Sequence, residues 1–351
     1  MNKRLFNIVL AATLVFNTTA CSKDDGIDVI EIPPSDGKTQ TLSGGTGGAS
    51  AVNSAFIDLS TDKQDSVLRS SWDLGFYSGS EFRVILNYTA SAGAKVIAKN
   101  DLAQVTAADT AGLTLAVIQA NLQPSDLAYF DDASGDITKT VIPAISSVDA
   151  ENKVIILNRG TGGGIAARPW LKLRVLRNAS GGYTVQYAEL TETTFKTISV
   201  DKDPAYNFKF VSFTTNGIVN AEPKKAEWDM QWTYSVYKTS FESGEVPYNF
   251  SDLVTINFLA GVQAAEILTG TVTYADYKET NISTTTFSNN RWTIGSNWRA
   301  TTGTVGVKTD RFYVIKDPVG NVYKLKFNSF HANDGGVRGY PVIEYKLVKK
   351  A

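Results

Sequence analysis

Four segments of this chain recur, in order, at nearly one spacing. FIDLSTDKQDSV begins at residue 56 and FVSFTTNGIV at 210; SWDLGF begins at 71 and EWDMQW at 227. KVIILNR begins at 153 and RFYVIKD at 311; LKLRVLRNASGGYTVQYAEL begins at 171 and LKFNSFHANDGGVRGYPVIEYKL at 325. The separation stays between 154 and 158 residues. That is far longer than the period of stacked solenoid repeats, so each copy is expected to be a whole domain. The expected division is 51–200 and 205–351, with the polar, Pro-containing Lys202-Asp203-Pro204 at the boundary.

Within each copy the pattern is that of strands. FRVILNY (82–88), KVIILNR (153–159), WLKLRVL (170–176) and YTVQYAEL (183–190) are rich in branched and aromatic residues. FKFVSF (208–213), RFYVIKD (311–317), VYKLKF (322–327) and YPVIEYKL (340–347) continue the series, with Gly, Asn, Asp and Ser clusters between them. Trp72, Leu74 and Phe76 share one face of an extended segment, as do Trp228, Met230 and Trp232, and that face is expected to be core. Only 100–122 offers a helical pattern, and short turns fit it equally well. The expected class is all-β: two tandem antiparallel domains with minor helix.

The N-terminus reads MNKRLFNIVLAATLVFNTTAC. Lys3 and Arg4 precede a short apolar run and small residues, which suits a cleaved export signal. Cys21 is the one cysteine of the 351 residues and stands where lipidation requires it. Residues 1–21 are therefore expected to be a lipoprotein signal ending at the lipidated Cys21, and the Ser-, Gly-, Asp- and Pro-rich stretch 22–50 a flexible tether. With no second cysteine there is no internal disulfide, so the core alone must stabilise the body. A formal charge of −1 from 34 basic and 35 acidic residues gives no nucleic-acid footprint.

Both copies resemble the HmuY-like haem-binding lipoproteins of Bacteroidota. The likeness lies in the Trp-Asp strand and the strand after it (SWDLGF…EFRVILN, 71–87) and in the closing aromatic hairpin (RFYVIKDPVGNVYKLKFNSF…GYPVIEYKL). It lies also in the leader with its acidic run Ser22-Lys23-Asp24-Asp25. The resemblance implies an all-β fold, an outer-membrane anchor facing the cell exterior, haem held through axial His or Met pairs, and a TonB-dependent transporter as partner. In RWTIGSNWR (291–299) the position matching the family's axial histidine is Asn297. The segment expected to hold a second ligand, VTYADYKETNIS (272–283), offers Tyr274 and Tyr277.

Iron ligation draws on His, Met, Cys or Tyr. After the leader the chain has one His, His331, in a predicted hairpin turn, and one Met, Met230, on the expected core face. The candidate haem-contacting residues are thus Met230, His331, Tyr274, Tyr277 and Asn297, and no metal cluster is expected. A hydrolytic triad would have to use His331, H-E-x-x-H is impossible with a single His, and G-x-S-x-G is absent. Gly37-Lys38-Thr39 lacks the rest of a phosphate loop, and Arg159-Gly160-Thr161-Gly162-Gly163-Gly164 lacks the full dinucleotide pattern. The expectation is a non-enzymatic surface protein that captures haem or a related porphyrin for an outer-membrane transporter. The alternative keeps the fold without haem, as a transporter accessory subunit or an adhesin, with glycan binding among its roles.

Overall fold

The computed structural model describes residues 33–242 and 244–351. The leader with Cys21, and residues 22–32 of the expected tether, lie outside the described residues. Among the described residues there is no α-helix; strands are joined by turns and short 3-10 segments. The first strands are β1 (Gly37–Thr41), β2 (Asn53–Asp58), β3 (Lys63–Leu68), β4 (Leu74–Tyr77), β5 (Val84–Leu86) and β6 (Gly93–Val96). After a long segment without strands come β7 (Ile155–Asn158), β8 (Leu171–Arg177), β9 (Tyr183–Glu189), β10 (Lys196–Val200), β11 (Phe208–Ser212) and β12 (Gly217–Val219). The rest is β13 (Met230–Phe241), β14 (Gly244–Ile256), β15 (Gln263–Leu268), the two-residue pair β16 (Arg299–Ala300) and β17 (Gly306–Val307), then β18 (Arg311–Lys316), β19 (Val322–Ser329) and β20 (Val342–Lys349).

The chain is all-β, and its pairing departs from the expected tandem boundaries. Strands β1-β20-β19-β18-β15 form one five-stranded sheet and β14-β13-β2-β3 the four-stranded sheet whose side chains share its core. Strands β10-β9-β8-β7-β6 and β12-β11-β4-β5 form the corresponding pair. The opening hairpin of each half therefore pairs with the Trp-Asp strand of the other: Met230 lies opposite Ile57, and Leu74 opposite Val211. One lobe combines residues 34–68 with 230–351; the other is the continuous stretch 74–219. Lys202-Asp203-Pro204 lies between two strands of the same lobe, and Lys202 donates to the carbonyls of Gly79 and Glu81 there. The crossings fall instead at 69–73 and 220–229.

Residues 37–50 are likewise not a free tether. Strand β1 pairs along β20 from Gly37–Lys346 to Thr41–Val342, and Leu42 is fully buried in the first core. Gly37 permits this docking: at φ 123° a Cβ there would collide with the Tyr345 carbonyl. The core face also differs from expectation at its start. Leu74, Phe76, Met230 and Trp232 face the lobe cores, but Trp72 and Trp228 precede their strands and turn away. Trp72 packs with Phe208 and Phe210, and Trp228 meets Phe56 edge-on at 5.1 Å.

The same hydrogen bonds hold both exchanges. The Asp73 amide donates to Val211 O at 2.8 Å, and its Oδ2 accepts from the Phe213 amide at 2.7 Å. The Asp229 amide donates to Ile57 O at 2.7 Å, and its Oδ2 accepts from the Leu59 amide at 2.8 Å. Asn87 and Asn257 then tie each Trp-Asp segment down, donating to Trp72 O and Trp228 O. The two sites differ in charge. Arg159 and Arg168 reach the Asp73 carboxylate at 2.8 and 3.2 Å. The position matching Arg159 is Asp317, and burial, with Asp58 and Asp317 nearby, pushes Asp229 up to about 8.

Arg69 stands at the first crossing, 1% exposed. Its guanidinium donates to five carbonyls: Ala51 at 2.7 Å, Ser50 at 3.2 Å, Thr89 at 2.7 Å, Gly162 at 3.0 Å and Gly163 at 3.0 Å. The Tyr234 ring covers its face at 4.8 Å. The Gly-rich stretch after β7 is thus a backbone cradle for an arginine. A Cβ on Gly163, at φ 62°, would lie 2.5 Å from Arg69 Nη2.

Two outcomes follow from these contacts. Arg69→Met leaves five carbonyls without that donor in a dry site and is expected to cost roughly 3 kcal/mol or more in urea unfolding. A loss under about 1 kcal/mol contradicts the cradle's importance. Asp229 has a folded-state pKa above its unfolded value, so its contribution to stability is full below about pH 4 and lost as pH rises to about 8. Asp229→Asn should flatten the fall in Tm over that window; an unchanged slope would place the titration elsewhere.

Candidate functional site

The five residues singled out as haem contacts lie in separate surroundings. Met230 is at 0% exposure in the core of the first lobe. His331 is half-exposed and caps the short 3-10 turn Ala332–Asp334, its Nδ1 accepting from the Asn333 amide at 3.3 Å. Tyr274 and Tyr277 pack on the outer face of the five-stranded sheet, both edge-on to Phe312. The Tyr274 hydroxyl reaches the carbonyls of Lys324 and Glu344 at 3.4 Å, and Tyr277 bonds Thr285 Oγ1 at 2.6 Å. Burial pushes both phenols up, so neither offers a phenolate. Asn297 is exposed beside the buried Trp298. The fold does not gather these five groups at one point.

It gathers a different set where the lobes meet. A cleft of about 70 Å³ is walled by Ile85, Tyr88 and Phe208 from one lobe and by Val236, Phe258 and Leu259 from the other. The loop from Phe130 to Thr140 closes its outer side. Strand alternation explains part of the lining. Ile85 sits between Val84 and Leu86, which face the lobe core, so its side chain points outward to the partner lobe. Phe208 and Phe210 are likewise placed against Trp72, off the main core.

Several polar groups enter this apolar setting, among them Arg291, Glu222, Asp131 and Tyr88. Arg291 lies over the Tyr88 ring at 4.3 Å and the Trp292 ring at 5.1 Å. No carboxylate of the described residues comes within salt-bridge distance of it. Glu222 accepts from Asn207 Nδ2 at 3.1 Å, and the same amide donates to Asn257 Oδ1 across the lobe boundary at 2.9 Å. Burial pushes Glu222 up to about 8, so it is mainly neutral near pH 7. Asp131 accepts from the amides of Leu86 at 2.7 Å and Val141 at 2.8 Å, and burial pushes it up to about 6. Tyr88 donates to Gln231 Oε1 at 3.2 Å and is pushed up by burial.

The cleft offers aromatic faces, one cation in Arg291 and four acids, Asp131, Asp132, Asp136 and Glu222, of which Glu222 is held mainly neutral by burial. Neither His nor Met lines it, so its side chains do not form the usual axial pair for haem iron. Arg291 falls inside RWTIGSNWR, so its segment drew notice in the sequence though the residue did not. Glu222, Asp131 and Tyr88 carried no signal, since nothing local marks them among the other acids and tyrosines.

The model of the family described as HmuY protein matches residues 50–345 as one stretch. No curated protein and no solved structure matches the chain. With a family match over most of its length and the all-β fold the resemblance implied, the chain belongs to the HmuY family.

Proposed function

We propose that this chain is a non-enzymatic surface lipoprotein that captures haem or a related porphyrin in the cleft between its lobes and passes it to an outer-membrane transporter. The observation that carries this reading is an aromatic-walled cleft with a lone cation in a chain of the HmuY family. Flat rings stack on such walls, and Arg291 suits a propionate carboxylate. The iron is a different matter. With Met230 sealed in a core and His331 in a turn, the donor set does not fit a two-ligand haem site. The macrocycle is therefore held by its faces and carboxylates, and the metal adds little. In this reading Cys21 bears the lipid that anchors the protein to the outer membrane, facing outward, with a TonB-dependent transporter as partner.

A second reading, an interaction protein that keeps the fold without a porphyrin, is favoured by the narrowness of the cleft. Ligand pockets generally run to about 300–1,000 Å³, and this one holds about 70 Å³. Absorbance titration of the purified protein with haemin and with metal-free protoporphyrin separates the two. Capture without axial ligands predicts affinities within about threefold of each other and a broad, high-spin haemin spectrum unchanged by His331→Ala. Arg291→Gln and Phe258→Asp should each weaken both by about tenfold. A sharp low-spin complex abolished by His331→Ala would contradict the non-ligated mode. No binding of either compound would leave the interaction reading.

A further inference from the structure

We propose that residues 132–140 are a lid on the interlobe cleft, swinging as a unit to admit ligand. The proposal deepens the preceding reading, in that it gives the same cleft a gate, and it is tested without any porphyrin.

The loop holds its own shape. The Asp132 amide donates to Lys139 O at 3.0 Å, Gly135 to Asp132 O at 2.9 Å and Lys139 to Asp136 O at 2.9 Å. Asp132 and Asp136 each accept from a residue two further on, Ser134 and Thr138. Such closed, internally bonded surface loops move as bodies more readily than they unravel. Its stems are fixed to its own lobe. Phe130 and Ile142 are buried on either side, and the Asp131 carboxylate joins the amides of Leu86 and Val141.

Contacts to the opposite lobe are few by comparison. Trp292 Nε1 donates to Ala133 O, and this is the one side-chain hydrogen bond from the loop across the cleft among the described residues. Gly135, at φ 79°, lies so close that a Cβ would come 3.0 Å from Arg291 Cδ and 3.1 Å from Phe258 Cζ. Ile137 adds an apolar contact near Leu259. A rigid flap with firm stems, one exposed tie to its own lobe from Arg83 Nη1 to Thr138 O at 3.3 Å and a single hydrogen-bonded latch to the other lobe is placed to hinge, and the closed cleft is too small for a ligand of ordinary size.

Thiol labelling reads the opening directly. Thr255 lines the cleft at 1% exposure, so Thr255→Cys in a Cys21→Ala chain reports access beneath the lid. Ser212→Cys, equally buried in a strand outside the cleft, serves as control. Labelling with an aromatic disulfide reagent should be slow at both positions. Trp292→Phe, which removes the latch, and Gly135→Ala, which crowds it, should each speed labelling at 255 on the order of tenfold while 212 stays slow. An unchanged rate at 255, or an equal rise at 212, overturns the lid. If labelling behaves as expected while neither porphyrin binds, the porphyrin reading fails and the lid stands.

Discussion

The two lobes are joined through one buried cation that has no carboxylate partner. Arg69 satisfies all five of its N–H groups on backbone carbonyls, from the lead into β2, from the turn after β5 and from the loop after β7. Burying a guanidinium this way is tolerable only when every donor finds an acceptor. Burial lowers its pKa to about 10, which still leaves it charged near neutrality. Because the carbonyls come from both lobes, the crossing of the chain from one sandwich to the other is held from both sides. The packing of Tyr234 over Arg69, and of Ser91 against Asn249 at 2.6 Å, depends on that crossing.

Given the crossing, the exchange of hairpins follows, and so does the cleft. Each Trp-Asp segment accepts a hairpin from the other half through an aspartate, and the tryptophans are left facing the space between lobes. The two joints differ in charge. Asp73 is paired with two arginines, whereas Asp229 shares its surroundings with other acids and is held mainly neutral by burial. The lobe built around Asp229 is also the one completed by the N-terminal strand β1.

Much of the fold was legible in the residues. All eight segments read as strands overlap strands of the structure, from β5 to β20, because alternation and branched side chains report burial on one face. The 100–122 stretch resolved into short 3-10 turns such as Leu102–Gln104. Of the long hairpin β13–β14 only the Trp-Asp start was legible, because the aromatic residues beyond it are mixed with Lys, Ser and Glu. Strand β1 was hidden in a Gly- and Ser-rich stretch that looked like tether. Pairing between halves was not legible at all. A repeat in the sequence shows that two units are alike, but not whether a hairpin pairs within its own unit or with the other. The site was masked for a related reason: family ligands were sought at single positions, while the cleft is assembled from Tyr88, Asp131, Glu222 and Arg291, which come together only through the crossing.

The central claim is that ligand is taken between the lobes and not at the segments where the family's axial ligands were expected. Hydrogen exchange of the protein with and without protoporphyrin tests it most directly. The account predicts new protection at residues 85–92, 131–141 and 255–259, on both walls and the loop over them. Protection confined to 272–283, 296–299 and 331–340, with the cleft unchanged, would contradict it.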